Sequence, residues 1–175
     1  MESIDVVDLK RCAWANDAQL IEYHDTEWGV APASDAEWLE KVVLETFQAG
    51  LSWKTILHKR DNFRLAFHEF SPRSVAAMTG TDIVNLMQNA GIIRHRKKIE
   101  AAVANAQIAL QLSEQHGSLS RFFELLQRKP AEEIRASLQS TFRFTGPTTA
   151  ESIAFATGLL PAPHEPGCWK SEPDC

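Results

Sequence analysis

Hydrophobic and polar positions alternate with the period of an α-helix over most of the 175-residue chain. The clearest case begins at Ser34, which forms a capping box with Glu37 three residues later. Apolar positions on one face of the following helix are Trp38, Leu39, Val42 and Val43. Gly50 predicts where this helix ends, because glycine readily adopts the left-handed conformation that follows a helix.

Similar signals predict about nine helices, in addition to a short helix near 18–23 in loop-like sequence. Besides the helix from 34, the segments are 18–23, 52–60, 61–68, one from 71, one from Thr81 to Gly91, 94–115, one from 118, 130–139 and 147–157. A tight hairpin over 142–149 joins the last two. Since no run shows the period of two that is typical of a strand, the sequence predicts an all-α fold.

Composition and charge narrow the class of protein. Hydrophobic residues make up 44% of the chain and charged residues 23%, as in globular proteins. We expect no membrane span and no signal peptide, and a flexible leader over 1–10 before a single domain over 11–175. Three cysteines suit a reducing cytoplasm, and nothing indicates more than a monomer. The net charge of −5 disfavours indiscriminate coating of nucleic acid but allows a local basic face.

Glu45 lies seven residues after Trp38, and therefore along almost the same line of its helix, at the edge of the apolar face. One interpretation is a boundary residue with its carboxylate in solvent. The other is a carboxylate held in an aromatic cleft, and the pattern alone favours neither.

Four aromatic residues are candidates for such a cleft: Trp14, Tyr23, Trp28 and Trp53. Core packing is the usual role of tryptophan. The first three, however, lie in polar, loop-like sequence, where a platform that stacks a planar ligand is at least as well supported.

One cysteine and one histidine near each end of the chain form a possible metal site: Cys12, His24, His164 and Cys168. A Cys₂His₂ set suits tetrahedral zinc, but two buried cysteines and two ordinary histidines also fit the spacing. Such a zinc would be structural, because four protein ligands leave no open position. It would join two irregular ends that bury little apolar surface. Cys175 is expected to be a free thiol.

Two further features are compatible with phosphate binding. The basic run 94–98 begins a long helix, where the helix dipole disfavours cations, so either phosphate contact or a solvated face accounts for it. The glycine turn before Pro147 leaves free backbone N–H groups at a helix start, although a plain helix connection explains it as well.

The chain resembles the DNA-3-methyladenine glycosylase I family in an ordered set of motifs that runs from residue 11 to residue 168. The motifs are RCAW, YHDTEWGV, LETFQAGLSW, KRDNFRLAFHEF, NAGIIRHRKKIEAA, FRFTGPTT and HEPGC. The resemblance implies a helix-hairpin-helix DNA glycosylase that removes N3-methyladenine from alkylated double-stranded DNA in base excision repair. It also implies one structural Zn²⁺, held by Cys12, His24, His164 and Cys168.

By the same resemblance, Glu45 would hydrogen-bond the flipped base while Tyr23 and Trp53 stack around it, and Trp14 and Trp28 would line the pocket. The residues implied to contact DNA are Gln48, Gly50 and Leu51 in one loop, and Thr145, Gly146 and Thr148 at the hairpin. The motifs place no lysine as a Schiff-base nucleophile, so we expect excision without strand cleavage.

The sequence departs from the family pattern at Leu20, where members usually carry tyrosine, in a shortened segment over 129–141, and in its leader and tail. These departures bear on substrate range and on the grip on DNA. Two alternatives therefore stay open: a non-catalytic, zinc-stapled lesion-binding domain, and a glycosylase for another alkylated purine.

Overall fold

The computed structural model describes residues 9–171, and within them the regular secondary structure is all helical, without strands. Ten α-helices and one 3₁₀-helix follow in order: α1 Ala18–Thr26, α2 Asp35–Gln48, α3 Trp53–His58, α4 Arg60–Ala66, the 3₁₀-helix His68–Phe70, α5 Pro72–Ala76, α6 Gly80–Leu86, α7 Arg96–His116, α8 Leu119–Gln127, α9 Ala131–Thr141 and α10 Pro147–Ala156. The predicted all-α class is confirmed within the described range.

Local signals account for most helix starts. Ser34 accepts a hydrogen bond from the backbone of Glu37, as the capping box predicts. The prediction that a helix is capped at Thr81 was wrong: Thr79 caps α6 and exchanges hydrogen bonds with Asp82. Thr79 is favoured over Thr81 as the cap because Asp82 follows it by three residues. At that spacing the two residues can cap each other reciprocally.

Helix α2 lies at the centre of the core and contacts α7, α8 and α10. Its apolar face, including Leu39, Val42 and Phe47, is completely buried. Trp38 stacks on Phe123 of α8, with ring centroids 4.0 Å apart, and is therefore a core residue as its helical position predicts. Burying each such side chain contributes about 1.5–3 kcal/mol, so α2 is rigidly held.

The C-terminal end of α2 is fixed by a lysine from α7. The ammonium of Lys98 donates hydrogen bonds to the carbonyl oxygens of Phe47, at 2.8 Å, and Ala49, at 2.7 Å. Neither a solvated face nor phosphate contact therefore accounts for Lys98, which is buried within the protein. Residues 94–97 of the basic run are exposed. Lys98 turns inward because a helix end leaves carbonyl groups unpaired, and a cation satisfies them well.

Helices α9 and α10 pack together and are joined by the turn over 142–146, which gives the helix-hairpin-helix arrangement. Phe144 lies in this turn with a φ of 56°, an uncommon left-handed conformation for a residue other than glycine. The side chain of Asn105 on α7 holds the turn through the backbone of Arg143.

The two ends of the described range meet. The backbone N–H of Trp169 donates to the carbonyl of Lys10 at 2.8 Å, and Trp169 Nε1 donates to Asp25 Oδ1 at 3.2 Å. Of the expected leader over 1–10, residues 1–8 lie outside the described residues, as do 172–175. Within 9–171, none of the helices has the length and apolar character needed to cross a membrane.

Candidate active site

A cavity of about 530 Å³ opens between α1, α2, α3 and α10. The residues that line it are Trp14, Asn16, Leu20, Tyr23, Trp28, Glu45, Gln48, Ser52, Trp53, Lys54, Ser152 and Phe155. The four aromatic residues singled out in the sequence thus line one cavity together with Glu45. Its size and its aromatic walls suit a planar ligand of a few rings.

Glu45 is buried at the cavity wall, with 5% of its surface exposed. The interpretation of this residue as a boundary glutamate in solvent is therefore wrong. Burial raises the pKa of Glu45 to about 7, against the opposing effect of the positive charge on Lys41. Near neutral pH this carboxyl group is therefore divided between its acid and carboxylate forms.

Tyr23 and Trp53 form the aromatic part of the wall beside Glu45. Their ring centroids are 5.1 Å apart at an interplanar angle of 43°. Three buried polar atoms of this wall have no hydrogen-bond partner: Glu45 Oε2, the Tyr23 hydroxyl and Trp53 Nε1. Each such atom costs the folded protein about 1–3 kcal/mol, so three in one cavity indicate groups arranged for a ligand.

Trp14 and Trp28 connect this cavity to the second cluster of candidate residues. Their rings meet edge to face, with centroids 5.1 Å apart. Trp14 also contacts His24, at a centroid distance of 5.3 Å, and Trp28 contacts His164, at 4.8 Å. The cavity wall therefore rests directly on the two histidines.

The four candidate metal ligands come together, and their ligand atoms all lie within 4.8 Å of one another. The Sγ atom of Cys168 lies 3.4 Å from His24 Nε2 and 3.6 Å from His164 Nδ1, which is also 3.6 Å from Cys12 Sγ. Two ligands on one tetrahedral zinc are separated by about 3.6 Å, given Zn–S and Zn–N bonds of about 2.3 and 2.0–2.1 Å. This cluster could hold a metal ion.

The groups around the cluster orient its ligands as metal sites require. His24 Nδ1 lies 2.8 Å from Asp25 Oδ1, which leaves Nε2 directed at the cluster. The guanidinium of Arg11 binds Asp25 and lowers the pKa of that carboxyl group to about 2. The backbone N–H of Glu165 donates to Cys12 Sγ at 3.2 Å, a contact that favours a thiolate. The residues therefore fit a metal with sulfur and nitrogen ligands.

The predicted DNA-contacting residues lie in two places: at the end of α2 with the loop that follows it, and at the hairpin with the start of α10. Gln48 lines the cavity, while Gly50 and Leu51 follow α2 on the surface. Gly146 precedes α10 and Thr148 lies in its first turn, both exposed, with Thr145 half-buried beside them. No side chain caps the start of α10, so its first N–H groups are available to a ligand.

Sequence reasoning missed three residues that support the site: Lys41 behind the cavity, Lys98 at the end of α2 and Asn105 behind the hairpin. Only Lys41 carried a usable signal, since it precedes Glu45 by four residues and therefore shares its helix face. Leu20, the departure from the family pattern, is buried in the cavity wall against Tyr23. At this position the wall is apolar.

Fold and site together define an all-α helix-hairpin-helix protein whose cavity combines stacked aromatic rings with one buried acidic group. The family model for methyladenine glycosylases matches residues 14–140. The chain is 39% identical to DNA-3-methyladenine glycosylase 1 of Escherichia coli (strain K12), over 91% of this chain and 96% of that protein. It is 44% identical to DNA-3-methyladenine glycosylase of Haemophilus influenzae, over 86% and 92% of the two chains.

Solved structures agree with these relatives. A crystal structure of 3-methyladenine DNA glycosylase I superposes with a TM-score of 0.81 at 36% identity, covering 93% of this chain and 100% of the other. The enzyme from Staphylococcus aureus, whose structure addresses 3-methyladenine recognition, gives a TM-score of 0.81 at 34% identity over 95% and 99% of the two chains. The chain belongs to the methyladenine glycosylase family, which confirms the family, fold and glycosylase function expected from its motifs.

Proposed function

We propose that the protein hydrolyses the N-glycosidic bond of N3-methyladenine in alkylated DNA after the damaged base is flipped into the aromatic cavity. The observation that carries this assignment is the set of three buried, unpaired polar atoms, on Glu45, Tyr23 and Trp53, around one cavity. A solved family member in complex with 3-methyladenine also supports it, with a TM-score of 0.81 at 33% identity.

The chemistry suits the cavity because N3-methyladenine in DNA is cationic. Electron-rich faces of Tyr23 and Trp53 attract a cation, and the Glu45 carboxylate accepts a hydrogen bond while complementing its charge. When the C1′–N9 bond breaks, its electron pair leaves with the base, which departs neutral. Water then adds to C1′ and loses a proton. A base that already leaves readily requires flipping and recognition more than strong acid catalysis.

We assign Glu45 the central role in excision. Its carboxylate contacts the base and also stabilises the positive charge that develops on the sugar as the bond breaks. Trp14 and Trp28 close the cavity around the base.

We further propose that these two places bind double-stranded DNA. Gln48, Gly50 and Leu51 would face the gap left by the flipped nucleotide. Backbone N–H groups at the start of α10, together with Thr145, Gly146 and Thr148, would bind the phosphate backbone. Action as a monomer in the cytoplasm stays a prediction.

For the metal cluster we propose one structural Zn²⁺ per chain, bound by Cys12, His24, His164 and Cys168. Four protein ligands complete a tetrahedral site, so this metal would stabilise the fold and take no part in hydrolysis. Contacts of the two histidines with Trp14 and Trp28 would transmit that rigidity to the cavity.

Excision without strand cleavage is part of the proposal. Lys54 is the lysine that lines the cavity among the described residues, and its ammonium lies 3.3 Å from Asp17 Oδ2 at the exposed rim. A side chain engaged in an ion pair at the rim is poorly placed to act as a nucleophile. Borohydride reduction during turnover should therefore trap no covalent complex with DNA.

The test incubates the protein with methylated double-stranded DNA and identifies released bases by chromatography. Wild type should release 3-methyladenine, and Glu45→Gln should lose at least about tenfold in rate. Glu40→Gln is the matched control, because Glu40 is also buried on α2 but pairs with Arg64 outside the cavity. Binding without any released base would overturn the enzyme assignment in favour of a lesion-binding domain. Preferential release of 7-methylguanine would instead change the substrate.

A further inference from the structure

Lys41 is an almost completely buried cation, with 8% of its side chain exposed, directly behind the cavity. Its ammonium forms an ion pair with Glu27 and lies 4.7 Å from the centroid of the Tyr23 ring. It also precedes Glu45 by one helical turn on α2, so the two side chains lie on the same face. The charge of Lys41 thus contacts Tyr23, one proposed recognition residue, and lies near Glu45, another.

Lys41 and its partners together carry an excess of positive charge behind the cavity. Glu27 also accepts hydrogen bonds from Arg60, whose Nη1 lies 2.8 Å from both of its oxygens. Two cations therefore share one carboxylate, and the group carries a net charge of about +1. Within residues 9–171, Glu45 itself forms no ion pair, and Lys41 is the member of this group whose charge acts on it.

We propose that Lys41 is a positioning residue for base excision: it holds the Tyr23 ring in place and supplies the positive charge that favours the carboxylate form of Glu45. This inference rests on the proposed function, since it concerns how the cavity receives a cationic base. A buried lysine is costly to the fold, and that cost is understandable if its charge serves the site.

The protonation of Glu45 supports this role. Burial raises the pKa of Glu45 to about 7, and Lys41 is the charge that opposes the increase. Burial also lowers the pKa of Lys41, while Glu27 raises it back and so keeps the ammonium charged. A cationic base gains from a carboxylate and gains little from a neutral acid, so the ionised fraction of Glu45 limits recognition.

Few other charged groups face Glu45 from the neighbouring helices. On α1, Tyr23 is neutral, because burial raises its pKa. On α3, Lys54 lies at the exposed rim in its ion pair with Asp17. Helix α10 contributes only uncharged Ser152 and Phe155 to the cavity.

The remaining cations near α2 among the described residues are Arg64 on α4, which is paired with Glu40, and Lys98 on α7, which is bound to carbonyl oxygens at the end of α2. Lys41 is thus the cation best placed to control the ionisation of Glu45. In Lys41→Met the Glu27–Arg60 pair would remain as a neutral unit, and Glu45 would lose its balancing charge.

The experiment measures kcat/KM against pH on DNA that contains N3-methyladenine, because the acid limb of this profile reports a group of the free enzyme. Lys41→Met should move the limb upward by about one pH unit, with several-fold lower activity at pH 6.5 and near recovery at pH 8.5. Lys41→Arg should restore the wild-type profile. Arg60→Met is the matched control, since it removes a cation from the far side of Glu27, and its limb should stay within about 0.3 unit of wild type.

Two further measurements keep the inference testable if Lys41→Met folds poorly. Glu27→Gln removes the carboxylate that keeps the Lys41 ammonium charged, so it should move the acid limb upward, in the same direction as Lys41→Met. Carbon-13 NMR of the Glu45 carboxyl group follows its titration without any substrate. Unchanged titration in Lys41→Met, or a loss of activity equal at every pH, would overturn the role of Lys41. Absence of excised base from the wild type would overturn the proposed function instead, while the NMR titration would still decide the inference.

Discussion

Asn105 and the backbone of Arg143 exchange two hydrogen bonds: Oδ1 accepts from the Arg143 N–H at 2.6 Å, and Nδ2 donates to the Arg143 carbonyl at 3.2 Å. Asn105 is completely buried on α7, in the middle of the longest helix among the described residues. An asparagine side chain has one acceptor and one donor group, so it can pair with both the N–H and the C=O of one residue, as a neighbouring backbone segment would. The hairpin is therefore fixed to the core from behind, with its outer side exposed.

Replacing Asn105 with alanine should loosen the hairpin. The change removes two hydrogen bonds and should lower the free energy of unfolding by about 2 kcal/mol. Affinity for undamaged DNA should fall as well, because the proposed phosphate contacts depend on the hairpin. Urea denaturation and fluorescence anisotropy measure the two effects. Gln107→Ala is the control, since Gln107 on the same helix donates to the Ala76 carbonyl, away from the hairpin. Equal effects of the two variants on DNA affinity would contradict this role.

Lys98→Met should destabilise the protein and also disturb the cavity. Two carbonyl oxygens at the end of α2 lose a charged donor, which costs about 1.5–3 kcal/mol. Because α2 carries both Glu45 and Gln48, kcat should fall together with stability. Thermal melts and excision assays measure these changes. Lys97→Met, which alters the exposed neighbour, should behave as wild type in both; a similar loss there would show that net charge and not the hydrogen bonds matters.

The sequence predicts much of this fold because its signals are local. Ser34 and Ser52 cap their helices as expected, and the period of apolar residues gives the buried face of α2. The depth of Glu45 could not be predicted in that way. Its position at the edge of the apolar stripe is compatible with solvent or with a cleft, and the packing of α3 against α2, with α1 against α3, decides between them.

Long-range partners explain the other differences. The basic run indicates charge but not that Lys98 turns inward, since the carbonyl oxygens it binds lie about fifty residues earlier. Asn105 carries no signal at all in the sequence, because its partner is a peptide group. The four metal ligands were spaced too loosely to assign from the residues alone, and their assembly depends on how the two chain ends meet.

Cys168→Ser should lower the zinc content from about one per chain to nearly none and reduce thermal stability, because a structural zinc contributes directly to folding. Metal analysis of protein purified without chelator, together with thermal melts, measures both effects. Cys175→Ser is the control, as Cys175 lies outside the described residues and outside the proposed ligand set. Zinc that persists in Cys168→Ser, or is lost in Cys175→Ser, would contradict the assigned ligands.

Glu45→Gln should change the pH dependence of stability in a defined direction. In the folded protein the pKa of Glu45 is about 7, against an ordinary value of 4.5, so the folded chain holds this proton more tightly than the unfolded chain. Stability therefore falls as the pH rises from about 4.5 to about 7, and each unit costs about 1.4 kcal/mol. Over this range the wild type should lose about 3 kcal/mol that Glu45→Gln, which cannot ionise, retains.

Urea denaturation of both proteins at pH 5 and at pH 8 measures this difference. Glutamine also differs from a neutral carboxyl group in its hydrogen bonding, so the diagnostic quantity is the change in the stability gap between the two pH values and not the gap at either. Glu132→Gln on α9 is the control: Glu132 has 89% of its side chain exposed and should follow the wild type at both pH values. If the gap between wild type and Glu45→Gln stays constant from pH 5 to pH 8, Glu45 is ionised throughout. In that case burial does not hold its proton, and the cavity must already be more polar around the carboxylate than its walls indicate.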